Sequence, residues 1–163
     1  MLKSGDGCGV LMGQLIRSTS LQLIIGLSVM LCAGLCRADI FVVTNQDNPV
    51  QQLTTKEVRK VFLGRLHLYP GTEHEPVAID QSQTSDLYRT FYEKIIGISL
   101  PKLKRYRAYY LFSGKGKIPS EVTSQQAVVD AVLRSTYAIG YLKNPGKNTL
   151  QQVKVLYRSP LED

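Results

Sequence analysis

Three hydroxyl side chains, Ser82, Thr84 and Ser85, stand within four positions in the stretch IDQSQTSDLYRTFY, residues 79–92. Such groups donate hydrogen bonds without carrying charge. Behind them Leu87, Phe91 and Ile95 recur at i, i+4 and i+8, the period of a helix with one buried face. Ahead of them PVAID ends in Asp80 and reads as a short strand. Hydroxyls at a strand-to-helix turn have two readings. In the first, Ser85 or Thr84 caps the helix by accepting from one of its opening N–H groups. In the second, hydroxyls and free N–H groups together form a cup for an anion such as phosphate, sulfate or a carboxylate, at the end of the helix that carries partial positive charge. Spacing alone leaves both open.

Other candidate chemistry is thinner. The SGKGK loop, residues 113–117, lacks the G-x-x-x-x-G-K-[ST] spacing of a nucleotide loop and reads as a solvated turn, although its place before a helix leaves open that it shares a rim with the hydroxyls. His67 and His74 stand seven apart in an irregular stretch beside Glu73 and Glu75, which is not the two-histidine helical spacing of a zinc enzyme. There is no G-x-S-x-G elbow for a nucleophilic serine. Asp80 and Asp86 flank the hydroxyls, but a carboxylate pair six residues apart across a turn defines no acid–base machinery. A non-catalytic protein with no cofactor and no metal is expected.

The elements that must position the turn follow from periodicity. IFVVTN, residues 40–45, is a β-branched and aromatic run read as a strand. TTKEVRKVFLG predicts a helix with a Thr54–Glu57 capping box, a buried stripe of Val58, Val61 and Phe62, and Gly64 at its end. A helix after Ser99, with Pro101 in its first turn, puts Leu103, Tyr106 and Tyr110 on its apolar face and its lysines and arginines outside. TSQQAVVDAVLRST predicts another helix with a Thr123–Gln126 box; YAIGYL and VKVLY complete the count as strands. The expectation is a small α/β domain of about four strands and four helices, with a small mixed sheet flanked by helices.

That domain occupies residues 39–163. The first 38 residues carry Lys3 and Arg17, an apolar run at 21–35 and the small-residue ending CRA, the layout of a signal peptide cleaved between Ala38 and Asp39. A start at Met12 gives a leader of more usual length, and an uncleaved anchor is the alternative. All three cysteines, Cys8, Cys32 and Cys36, lie in this leader, so the mature chain uses no disulfide and no thiol chemistry. A periplasmic location is expected. Removing Lys3, Arg17, Arg37 and Asp6 from the 20 basic and 13 acidic residues leaves 17 and 12, a net charge of +5. That excess suits anionic partners, but it is too modest and too poor in interleaved aromatics for a nucleic-acid surface.

The order of four segments carries a family resemblance. NPVQQLTTKEVRKVFLGRLHLYP, PVAIDQSQTSDLYRTFYEKIIG, FSGKGKIP and YAIGYL resemble, in sequence, one lobe of the periplasmic phosphate-binding proteins of ABC transporters, of the type II periplasmic binding protein class. The resemblance runs from about Phe41 to Leu156 and implies the second of two lobes that close over a ligand. With Phe91 as anchor, the family's S-G-T serine falls on Ser85, its glycine on Asp86, its threonine on Leu87 and its phosphate-pairing arginine on Gln81. The resemblance therefore implies an oxyanion site at Ser85, Thr84, Ser82, Gln81 and Asp86, weak or shared with a partner chain because the arginine is replaced. The alternative is an interaction module that has given up its ligand and docks a membrane sensor, a transporter subunit or a copy of itself.

Overall fold

The computed structural model of the chain describes residues 39–114 and 117–160, and the expected leader lies outside them. The β-branched run after Asp39 forms strand β1 (Asp39–Asn45), in which Ile40, Val42 and Val43 are fully buried. β4 (Ala138–Lys143) and β5 (Val153–Pro160) flank it, both antiparallel. β2 (Val77–Gln81) pairs in parallel with β4, and β3 (Ser120–Val122) in parallel with β2, so the order is β3-β2-β4-β1-β5. Interior strands covered on both faces need apolar residues in both directions, which is why VV and AIGYL read as near-continuous runs.

Alternation along each strand feeds two half-cores. On one face α1 (Thr55–Phe62), α2 (Asp86–Thr90) with the π-helical turn Phe91–Ile96 that continues it, and α3 (Leu100–Ser113) bring Phe62, Phe91, Tyr92 and Leu103 against Ile40, Val42, Ile139 and Tyr141. On the other, α4 (Gln125–Arg134) sets Val128, Val129 and Val132 on Val43, Ile79 and Leu142. Each large aliphatic or aromatic side chain so buried contributes about 1.5–3 kcal/mol. Both half-cores are drawn from residues 40–156 and lie within one compact unit, which begins at Arg37.

The α/β expectation holds, with local corrections. A fifth strand, β3, is three residues long and mostly polar, too short to show alternation. A fifth helix, α5 (Lys147–Gln152), follows Gly146 and has no buried residue, so no stripe marks it. The Thr54–Glu57 capping box is formed as expected. The second box is not: Ser124, one position later than Thr123, caps α4 by accepting from the Ala127 N–H at 3.1 Å, and Gln126 turns to Asp130 instead. The helix predicted through Ile95 widens into the π-helical turn, within which Tyr92 faces inward. The glycine in YAIGYL has a packing reason. A β-carbon at Gly140 would overlap Val128 Cγ1, so its absence lets α4 lie close against β4.

Candidate functional site

The hydroxyl turn leaves β2 at its carboxyl end and enters α2, the place where open α/β sheets hold ligands. Ser85 has extended backbone and its Oγ accepts from the Tyr88 N–H at 3.1 Å, so it is the helix cap. Its own N–H donates to the Ser82 carbonyl at 2.9 Å, tightening the turn. Ser82 Oγ and Thr84 Oγ1 lie 3.0 Å apart on the exposed side and share one proton between them, which leaves the second hydroxyl proton for another acceptor. The proton on Ser85 Oγ is likewise uncommitted by the cap, since a cap uses only the oxygen. The N–H groups opening α2 are of the kind that helix carbonyls cannot reach.

The remaining two residues of the expected site are placed differently. Gln81 is buried; its side-chain amide donates to the Tyr141 carbonyl at 3.1 Å and its backbone N–H to the Tyr141 hydroxyl at 3.3 Å. It stitches β2 to β4. Asp86 is exposed in the first turn of α2, where a carboxylate complements the helix dipole. The turn thus brings Ser82, Thr84 and Ser85 together, while Gln81 looks into the sheet.

A carboxylate absent from the sequence reading completes the turn. Glu121, on β3, accepts from the Gln83 backbone N–H at 3.2 Å and from its side-chain amide at 2.9 Å. The hydrogen bonds from the Gln83 side chain and backbone, with a smaller one from Ser82, hold its carboxyl below the ordinary glutamate value. An acidic side chain therefore already uses donors that a bound anion would want. Only pairing β3 to β2 reveals it, since Glu121 is 38 residues from Gln83 in sequence.

Directly beneath the turn lies a buried polar cluster centred on Asp80. Its Oδ2 accepts from Arg107 Nη2 at 2.6 Å and from the Tyr92 hydroxyl at 2.8 Å; its Oδ1 accepts from the Tyr141 hydroxyl at 2.6 Å. Arg107 Nη1 also donates to the Tyr88 hydroxyl at 3.1 Å, and the guanidinium sits over the Tyr92 ring at 5.1 Å. Burial pushes the Asp80 carboxyl above its usual value, opposed by Arg107 and the tyrosines. Burial and the neighbouring carboxylate hold the Tyr92 and Tyr141 hydroxyls well above theirs, so both remain donors at neutral pH. For Arg107 burial opposes the charge, but Tyr92 and Asp80 outweigh it. This corrects the expectation that the cations of α3 all face outward: Arg107 is turned inward and committed to Asp80. Tyr106 and Tyr110 are half-buried as expected, whereas Tyr109 is exposed.

The other sequence candidates lie elsewhere. Gly114 and Lys117, the described ends of the glycine-lysine loop, line a cavity of about 420 Å³ with His67, Glu75 and the start of β2, at the amino end of that strand and not on the rim of the hydroxyls. Lys117 pairs there with Glu75 at 2.6 Å. His74 stacks on Tyr137 with ring centres 4.1 Å apart. Among the described residues no cluster of His, Cys, Asp or Glu is placed to hold a metal ion.

Comparison with known proteins agrees with this architecture. No protein-family model matches the chain, and no curated protein does. Solved structures do. An ABC-type phosphate transport receptor from Vibrio cholerae is similar with a TM-score of 0.56 at 18% identity, over 74% of this chain and 46% of that one. PstS from Borrelia burgdorferi is similar with a TM-score of 0.59 at 15% identity, over 74% and 47%. A putative phosphate ABC transporter substrate-binding protein from Clostridium perfringens, solved with bound phosphate, gives 0.57 at 18%, over 74% and 45%. The chain spans a little under half the length of these receptors and shares the fold of that part.

Proposed function

We propose that the chain is an exported binding module, not an enzyme, that holds a phosphate-like oxyanion weakly at the β2–α2 turn and relies on a second surface for the rest of the grip. The observation that carries this reading is the convergence of Ser82, Thr84 and Ser85 at the carboxyl end of β2, with the Ser85 hydroxyl proton unused by the cap. It is supported by the fold shared with phosphate transport receptors. A few exposed hydrogen bonds from the hydroxyls and the N–H groups opening α2, at about 1 kcal/mol each, give a dissociation constant no tighter than about 1 mM. An ABC permease is the partner that this reading implies.

A specific observation favours a second reading. The Glu121 carboxylate sits on the turn and Asp86 beside it, and Arg107 is spent on Asp80. A hollow already satisfied by its own acid suits a module that uses this rim for docking a sensor, a transporter subunit or itself. Calorimetric titration of the chain from Asp39 with phosphate and with sulfate separates the two. Millimolar binding in the wild type that tightens in Glu121→Gln supports the oxyanion reading. Silence in both, with the fold intact by circular dichroism, removes it and leaves the docking reading.

A further inference from the structure

The outward face of α3 has no role in either reading. Its last turns present Tyr109, Leu111 and Phe112 to solvent, with 61%, 63% and 93% of each residue exposed. Isolated exposed apolar residues are ordinary; three within four positions at the end of one helix form a patch. Leu111 also borders a cavity of about 680 Å³ with Leu100, Lys104 and Ala108. Toward the helix start, Lys102, Lys104 and Arg105 are all exposed. Between Glu93 and Glu121 the chain has no Asp or Glu at all. The apolar tip is thus preceded on the same helix by three exposed cations, with no acidic residue in that segment.

We propose that this face of α3 docks on an anionic phospholipid surface. Tyr, Leu and Phe side chains on one side of a basic helix enter the boundary between headgroups and acyl chains, while lysines and arginines stay at headgroup level on their flexible stems. The charge pattern selects this occupant. Anionic lipid attracts each juxtaposed cation, whereas a second copy docking through the same face would bring Lys102, Lys104 and Arg105 against their own counterparts. α3 is 14 residues long, too short to cross a bilayer, so the contact of this face is peripheral. It would hold the module at the membrane where a transporter subunit or sensor resides, and it does not depend on whether the β2–α2 turn takes an oxyanion.

The test is co-sedimentation of the chain from Asp39 with vesicles of equal phosphatidylglycerol and phosphatidylcholine, against vesicles of phosphatidylcholine alone. Binding to the first and not the second is expected, weakening as salt is raised. Leu111→Ser with Phe112→Ser should lower the partition about tenfold or more. Lys104→Glu with Arg105→Glu should lower it by at least about fivefold per cation. Equal partition onto both vesicle types, no partition onto either, or partition unaffected by both double variants overturns the proposal. So does sedimentation of the free chain as a dimer that Leu111→Ser with Phe112→Ser dissolves, since the patch then belongs to a second copy. Because these side chains are exposed, unchanged melting of each variant is expected and is measured alongside.

Discussion

The Arg107 guanidinium on α3 closes on the Asp80 carboxylate at the end of β2, Nη2 to Oδ2 at 2.6 Å, with 13% and 2% of the two side chains exposed. Taking either charge out of water is costly, and the pair persists because Tyr92, Tyr141 and Tyr88 add hydrogen bonds around it, leaving only the buried Arg107 Nε without a partner among the described residues. Removing one partner leaves the other buried and uncompensated. Arg107→Met is therefore expected to destabilise the fold by about 3–5 kcal/mol in urea denaturation. Arg107→Met combined with Asp80→Asn should cost less than the sum of the two single changes, because the second substitution removes the orphaned charge.

This pair also marks how far the sequence could be read. Asp80 was visible at the end of a strand, but its partners lie 27 and 61 residues away, and nothing local announces them. Arg107 hides among Lys102, Lys104 and Arg105, all of one charge. A signal did exist: Arg107 stands at i+4 from Leu103, beside Tyr106 and ahead of Tyr110, on the face that periodicity assigns to the core. Its charge masks that spacing. The turn was legible in the opposite way. Ser82, Thr84 and Ser85 are local, so their convergence and the cap could be anticipated, whereas Glu121 arrives through β3, a strand too short to leave a pattern. Elements with long buried stripes, such as β1, α1 and α4, were readable because burial writes its period into them. The cap of α4 is Ser124 and not Thr123: the adjacent hydroxyls both suit the position, and only backbone geometry chooses.

Ser85→Ala separates capping from ligand binding. The cap bond to Tyr88 is lost in either case, so stability should fall by about 1 kcal/mol. If the turn holds an oxyanion, calorimetric affinity falls as well. Ser82→Ala provides the complementary arm. It spares the cap, so its melting temperature should stay near the wild-type value while any affinity for phosphate drops.

Stability should carry two opposing dependences on pH. Hydrogen bonds from Thr54 side chain and backbone hold the Glu57 carboxyl below its usual value. A lowered value in the fold means that its contribution is present above the unfolded value, near 4.5, and is lost as pH falls through the folded one. Glu57→Gln should therefore differ from wild type at pH 7 and converge with it in acid. Asp80 is raised by burial, so its contribution is fully present below the unfolded value and declines as pH rises through the folded one. The stability difference between wild type and Asp80→Asn should accordingly grow on acidification. Urea titrations at pH 7, 5.5 and 4 read both trends.

The contact between Gly140 and Val128 is the most direct check on how α4 is seated. With no β-carbon at Gly140, the Val128 Cγ1 methyl occupies the space that one would take. Gly140→Ala should then force either that methyl off its rotamer or the helix off the sheet, costing about 1–3 kcal/mol. Val128→Ala alone leaves a small cavity and costs about 1–3 kcal/mol by lost packing. Together the new methyl group enters the space the old one vacated, so in the Val128→Ala background Gly140→Ala should be nearly neutral. A coupling of about 1 kcal/mol or more in this double-mutant cycle is expected from side chains in contact. Simple additivity would mean that α4 does not pack against β4 at this point, and the second half-core would have to be redrawn.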